Sequence, residues 1–345
     1  MAKFISNFET TAELEAFSAT TAFGTPHVSL TKDSGGIHYF EHDYSKDYFT
    51  MVVTVGGDIK WSGSTTDNTL SYSTDNGDNW STASSDIISV EAGDKVLWKG
   101  TPTPQSYYGI GKFSGATNVR YSVEGNVMSL LHGDNFKGQT SLEGKSYALY
   151  SLFNSNKNVT SAEKLSLPAT TLASNCYRQM FYGCTNLTTA PELPATTLAD
   201  NCYFYMFQAC TNLTTAPELP ATTLADYCYQ SMFQGCVSLT IAPALRATTL
   251  ANCCYQSMFD GCTSLTTAPE LPSTTLKDWC YNNMFNGCTS LSSIKCLATN
   301  ISASRCTSNW VDGVAASGIF TKAASMNDWT TSTNGIPSGW TVVDA

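Results

Sequence analysis

Thirteen cysteines are the residues with most chemistry to offer in this 345-residue chain, and their placing is strict. Cys176, Cys202, Cys228, Cys254, Cys280 and Cys306 follow one another at 26-residue intervals, and five of them have a second cysteine eight positions on, as in CYQSMFQGC (228–236) and CYQSMFDGC (254–262). Stacked pairs of thiols could hold zinc or form a ladder of disulfides. Zinc sites, however, favour closer cysteine spacing, no histidine lies in the array, and the cysteine count is odd, with none before Cys176. That distribution is expected when cysteine serves as a small buried apolar side chain, repeated because the unit repeats.

The other reactive types are sparser. His38 and His42, flanked by Glu41 and Asp43 in one expected strand, supply two ligands, too few for a metal site. Glu192, Glu218 and Glu270 align in PELP, but Ala244 interrupts the column, and a solvated edge accounts for it. STDNGDNW, Ser73 to Trp80, matches the pattern S-x-D-x-G-x-x-W and resembles the Asp-box of sialidases and other β proteins. The resemblance implies a hairpin turn whose Asp ties backbone N–H groups while the Trp packs beneath, a structural role even in enzymes. A sialidase also needs several arginines, and the β region holds Arg120 alone. No catalytic, cofactor-binding or metal residue is named, and the chain is not expected to be an enzyme.

The elements that position these residues follow from the repeat, since periods of this length mark stacked units. Tyr229, Met232, Phe233 and Cys236 fall at i, i+3, i+4 and i+7, which predicts a short helix. Ser174, Asp200, Asp226, Asn252, Asp278 and Ser304 form an N-cap column, and Gly183, Gly235, Gly261, Gly287 and Gly313 a left-handed C-terminal cap column, with Ala209 the departure. In the extended half, LTTAPELPATTLA, the proline columns through Pro217 and Pro220 limit strands to about three or four residues around Leu-Thr-Thr and Ala-Thr-Thr. A copy cannot bury its Met and Phe alone; a neighbour must cover them.

MFQACTNLTTAPELP, Met206 to Pro220, resembles the leucine-rich repeats of the BspA-like type, although the unit of 26 residues is longer than that family's usual one. The expected fold class is mixed β and α/β: an antiparallel β domain followed by a short leucine-rich-repeat solenoid. At about 4.8 Å per stacked strand its arm would be about 25 to 30 Å long. The expected parts are a docking segment (1–45) with a helix from Thr10 to Phe17 and a hairpin in PHVSLTKDSGGIHYFE, a β-sandwich-like domain (46–135), the repeats (136–310, with 136–165 a degenerate first copy) and a C-terminal cap (311–345).

A net charge of −10 and four scattered arginines argue against nucleic acid. No apolar run is long enough to span a membrane, and MAKFISNFETTAELEAF does not read as a secretion signal. The stretch NFETTAELEAFSATTAFGTPHVSLTKDSGGIHY resembles the opening segment of virion structural proteins from phages of Bacteroides, including crAss-like phages. That resemblance implies a virion fibre, tail or head decoration protein, made in the host cytoplasm. It would dock to other virion proteins through the N-terminal segment, form a homo-oligomer, with trimers usual for such fibres, and meet a host-surface glycan or protein through the repeats. A bacterial cell-surface adhesin is the alternative. No cofactor is expected.

Overall fold

The computed structural model describes residues 7–8, 28–33 and 36–41 and, apart from 66–69 and 84–86, residues 43–345. Near the N-terminus, β1 (Asn7–Phe8), β2 (Val28–Asp33) and β3 (Gly36–Glu41) form an antiparallel sheet in the order β1-β3-β2, so the hairpin expected in PHVSLTKDSGGIHYFE is present. His38 lies on β3 opposite Asn7 and Thr31. The expected helix at Thr10 to Phe17, and His42, lie outside the described residues.

Two sheets follow. One contains β4 (Phe49–Val55), β6 (Leu70–Ser73), β7 (Ser81–Ala83), β9 (Lys95–Lys99), β11 (Arg120–Asn126) and β12 (Val159–Ser166), in the order β12-β11-β4-β9-β6-β7. The other is β5 (Gly57–Gly63) between β8 (Ile87–Val90) and β10 (Gly111–Gly115). Alternation along each strand sends Phe49, Met51, Val53 and Trp98 of the first sheet and Ile59, Trp61 and Phe113 of the second into one buried layer. The sheets meet there: Phe113 stacks on Phe49 with centroids 5.5 Å apart and takes the edge of Trp98 at 4.9 Å. A single turn of helix, α1 (Ser129–His132), closes this part, its Ser129 hydroxyl donating to the Trp98 carbonyl and accepting from the Phe49 amide.

The repeats hold no helix. From Tyr227 to Cys236 the backbone is an unbroken ribbon of turns in which neighbouring residues alternate their partners. The amides of Cys228, Gln230, Met232, Gln234 and Cys236 donate to the carbonyl three residues back, at 3.0–3.3 Å. Those of Tyr227, Ser231 and Gly235, with Tyr229 and Phe233 between them, donate instead to the next copy, 25 residues on, at 2.7–3.1 Å. Tyr227, Ser231 and Gly235 also take positive φ, at 60°, 50° and 73°. The true period is therefore four residues. A four-residue and a 3.6-residue period drift apart too slowly to be told apart over nine residues, which is why the phrase reads as helical. An α-helix would consume every amide within its own copy; the ribbon frees alternate ones to tie copy to copy, so that the buried backbone is satisfied across the stack.

The expected mixed β and α/β class, with its solenoid of helix-bearing leucine-rich repeats, is thereby corrected: among the described residues there is sheet and turn, and the one α-helix is α1, outside the repeats. The expected cap columns change role as well. Asp226 and Asp278 accept from the amides of Asn252 and Ser304, one copy on, at 2.9 and 2.8 Å. The glycine column is left-handed as the third residue of a turn, and Ala209 adopts the same conformation with φ 59°. On the extended side the strands shrink to isolated parallel bridges such as Thr171↔Thr197, Thr223↔Thr249 and Thr267↔Ser293. They widen at the two ends, in β12 of the first copy and in the parallel sheet of β13 (Ser293–Cys296), β14 (Ile319–Lys322) and β15 (Thr341–Asp344).

Inside the stack the aromatics form columns. Phe153, Phe181, Phe207, Phe233, Phe259 and Phe285 lie face over face at 5.3–5.8 Å, within 9° of parallel. Tyr177, Tyr203, Tyr229, Tyr255 and Tyr281 make a second column at 5.6–6.2 Å. Phe113 of β10 stacks on Phe153 at 5.5 Å, so the phenylalanine column begins between the two sheets. At the far end Trp310 takes over beside Phe285, stacks on Trp329 and is tied by its indole N–H to the Gly335 carbonyl at 2.8 Å. One buried apolar cluster runs from Phe49 to Trp340. With about 1.5–3 kcal/mol from each fully buried large side chain, these columns dominate cohesion.

Candidate functional site

The thiols come first. All thirteen cysteines are buried and unbridged. The second cysteine of each pair donates its S–H to the phenylalanine carbonyl of the preceding copy: Cys184 to Phe153, Cys210 to Phe181, Cys236 to Phe207, Cys262 to Phe233 and Cys288 to Phe259, at 3.0–3.1 Å. One copy earlier the column carries Asn156, whose amide donates to the Phe113 carbonyl and the Tyr121 hydroxyl. Burial pushes Cys202, Cys254, Cys288 and Cys296 up to about 12, so they stay protonated, and a protonated buried thiol is neither nucleophile nor metal ligand. Among the described residues no group of His, Cys, Asp and Glu is placed to hold a metal ion.

STDNGDNW closes the β6–β7 hairpin. Asp75 accepts from the Ser73 hydroxyl at 2.7 Å, the Asn79 amide at 2.9 Å and the Asn79 side chain at 2.7 Å, bonds that draw its pKa down to about 2. The Trp80 indole donates to the Gly77 carbonyl, and its ring packs against Tyr48 at 5.1 Å under the Lys99 ammonium. Lys99 pairs with Asp134, which accepts from the Tyr48 hydroxyl at 2.6 Å. Every member of this group is committed to a neighbour, so the Asp-box motif builds the hairpin. Arg120 is likewise spent on the Thr117 and Val119 carbonyls, and Glu218 and Glu270 pair with Arg246 and Lys295 on the exposed edge.

Part of the polar row along the repeats is also internal. Gln208, Gln234 and Asp260 are linked in series at 2.6 and 2.8 Å, and burial raises the Asp260 pKa despite the Gln234 bond. Arg178 lies over Phe204 and Arg305 over Trp279.

A concave feature of the surface lies where the loop before β10 meets the degenerate first copy. A cleft of about 490 Å³ is lined by Thr101, Thr103, Pro104, Ser106, Lys145 and Tyr147, among others. Beside it a tight hairpin, in which Gln105 and Gly109 exchange backbone bonds at 2.8 Å, raises Tyr107 and Tyr108, 66% and 70% exposed. Tyr107 meets Tyr147 at 5.2 Å and Tyr147 meets Tyr150 at 5.8 Å. Burial and the hydroxyl bond to Tyr107 raise the Tyr147 pKa. His132, next to the lining residue Leu131, is held below its usual pKa by burial and by Lys145. These tyrosines belong to no column, so reading by period passes over them. Two aromatics before a glycine in SYYG (106–109), after the loop run TPTPQ, were the available signal.

No helix among the described residues is long and apolar enough to cross a membrane. Compared with known proteins, the chain matches no family model, no curated protein and no solved structure.

Proposed function

We propose that the protein is a non-enzymatic structural component of a phage virion, a fibre, tail or head decoration protein that presents its repeat stack to a host-surface glycan or protein. The N-terminal segment docks it to other virion proteins, and it works as a homo-oligomer, a trimer by analogy with virion fibres. The observation that carries this reading is where the chain's chemistry is spent. Its thiols are buried in the stack, its Asp-box ties a hairpin and Glu218 is paired with Arg246, while Tyr107, Tyr108, Tyr227 and many threonines are left facing out. A surface with hydrogen-bonding groups and flat apolar faces suits recognition of sugars or protein partners. The N-terminal resemblance supplies the setting. A bacterial cell-surface adhesin is the second reading, favoured by the BspA-like phrase MFQACTNLTTAPELP.

Purified particles and host envelopes, probed with antibody against the recombinant chain, test this directly. Label on particles, together with recombinant chain blocking their adsorption to cells, supports the virion reading. Label confined to the envelope of uninfected bacteria would move the assignment to the adhesin.

A further inference from the structure

We propose that the cleft between the 101–109 loop and the first copy, with its raised tyrosines, is a binding site for a short oligosaccharide. The inference rests on the reading of the chain as an adhesion protein and adds to the repeat surface a glycan contact of its own at this cleft.

Three independent observations support it. The first is exposure: Tyr107 and Tyr108 stand with rings in solvent at 66% and 70%, side by side on one hairpin. The second is backbone strain. Tyr107 takes a left-handed φ of 65° as the third residue of the turn that the Tyr108 amide closes on the Gln105 carbonyl at 3.1 Å, a position where glycine or asparagine is usual. The hairpin is seated on the first copy: a Cβ at Gly109 would sit 2.8 Å from the Tyr150 carbonyl and 3.0 Å from that of Tyr147, so no larger residue fits there. The third is the lining, which sets Thr101, Thr103, Ser106 and Ser146 with Lys145 beside Tyr147. Sugars need flat faces for their C–H surfaces and short-range donors and acceptors for their hydroxyls, in a cleft of a few hundred Å³. A peptide would ask for an apolar pocket or an open strand edge, and the lining offers neither.

The full chain is titrated against a printed panel of defined neutral and acidic oligosaccharides, with Tyr107→Asn/Tyr108→Ala as the test variant and Tyr227→Ala, an exposed tyrosine of the repeats, as the control. Asn tolerates the left-handed backbone, so the double variant removes rings and not the turn. The expected result is binding of at least one panel member, weakened about tenfold or more by the double variant and unchanged by Tyr227→Ala, at equal melting temperature. Binding lost with Tyr227→Ala and kept by the double variant would overturn the cleft assignment and leave glycan adhesion standing. Binding of no panel member overturns it too; blocking of particle adsorption by the recombinant chain would then point to a protein receptor and keep the adhesion reading.

Discussion

The cysteines show how one residue type can look reactive in sequence and be inert in place. The second thiol of each pair adds a donor to a phenylalanine carbonyl that already accepts a turn amide within its own copy, and at the head of the column the Asn156 side chain donates instead to the Phe113 carbonyl. A thiol whose pKa is raised by folding, here from 9.0 to about 12 for Cys202 and Cys254, keeps its proton in the folded state where the unfolded chain has released it. Its stabilisation is complete below about pH 9 and is lost as pH rises toward 12, so thermal melts should fall progressively above pH 9 and stay flat from 7 to 8. A melting temperature that does not move up to pH 11 would contradict this. Native protein should also resist alkylation until denatured and then take up about one label per cysteine, as mass spectrometry can count. Ala209 makes the opposite point, since it pays for a left-handed φ of 59° where the other complete copies carry glycine. Ala209→Gly should raise stability by about 1 kcal/mol in denaturant titration, the cost of the left-handed conformation for a residue with a Cβ. The neighbouring Gly235 leaves room, a Cβ there lying 3.8 Å from Ala209, so packing does not decide the result.

At the scale of the element, the turn ribbon and the aromatic columns depend on each other. The ribbon's cross-copy bonds set the distance between copies, and the rings fill it at 5.3–6.2 Å, wider than the about 4.8 Å of strands in a sheet. Phe233, fully buried between Phe207 and Phe259, is the element's most sensitive position. Phe233→Ala should cost about 3–5 kcal/mol, while Val237→Ala, on the exposed turn beside it, should stay within about 0.5 kcal/mol. Hydrogen exchange should place the loosening in the copies either side of Phe233; equal costs at the two positions would mean that the ring column is not what binds the copies. Gln230, one turn of the ribbon earlier, would be a poor exposed control, because its Oε1 is buried. The Asp-box hairpin is the other self-contained element. Its Asp75 contacts hold while the carboxylate is ionised and fade only as pH falls from about 3.8 toward 2, so amide protection at Asn79 should survive to low pH and be lost at neutral pH in Asp75→Ala.

The whole molecule is joined more closely than a division into a β domain and a repeat array suggests. Phe113 stacks between Phe49 and Phe153, β12 of the first copy lies parallel to β11, and Asn156 and Asn158 reach back to the carbonyls of Phe113, Ala116 and Val119. Two parts that share a core should unfold together: calorimetry, near-ultraviolet dichroism and tryptophan fluorescence should give one coincident transition. Two resolved transitions would show that the shared column is weaker than the cores either side of it. A chain shortened by residues 1–45, the expected docking segment, keeps every described residue of the cluster from Phe49 to Trp340 and should fold with an unchanged melt, yet be missing from particles if that segment docks it. Its incorporation at normal copy number would move the docking role to the repeats.

What the sequence determined by itself was everything that recurs or closes locally. The unit of 26 residues, the apolar Cys, Met, Phe and Tyr positions along it, the left-handed glycine column and the Asp-box turn are all legible in the residues of one copy or one hairpin, although a neighbouring copy completes the burial. Tertiary structure decided where the backbone amides go. The same apolar spacing serves a helix of 3.6 residues per turn or a ribbon of four, and only a neighbouring copy offering its carbonyls at 2.7–3.1 Å selects the ribbon. The spacing of eight between paired cysteines, a whole multiple of four, was the trace of that choice in the sequence. The tyrosine cleft left no such trace, because it is built from the 101–109 loop and from the 144–147 turn, brought together by Gly109 seated against the carbonyls of Tyr147 and Tyr150. A contact between segments distant in sequence has no period to reveal it; only packing creates it.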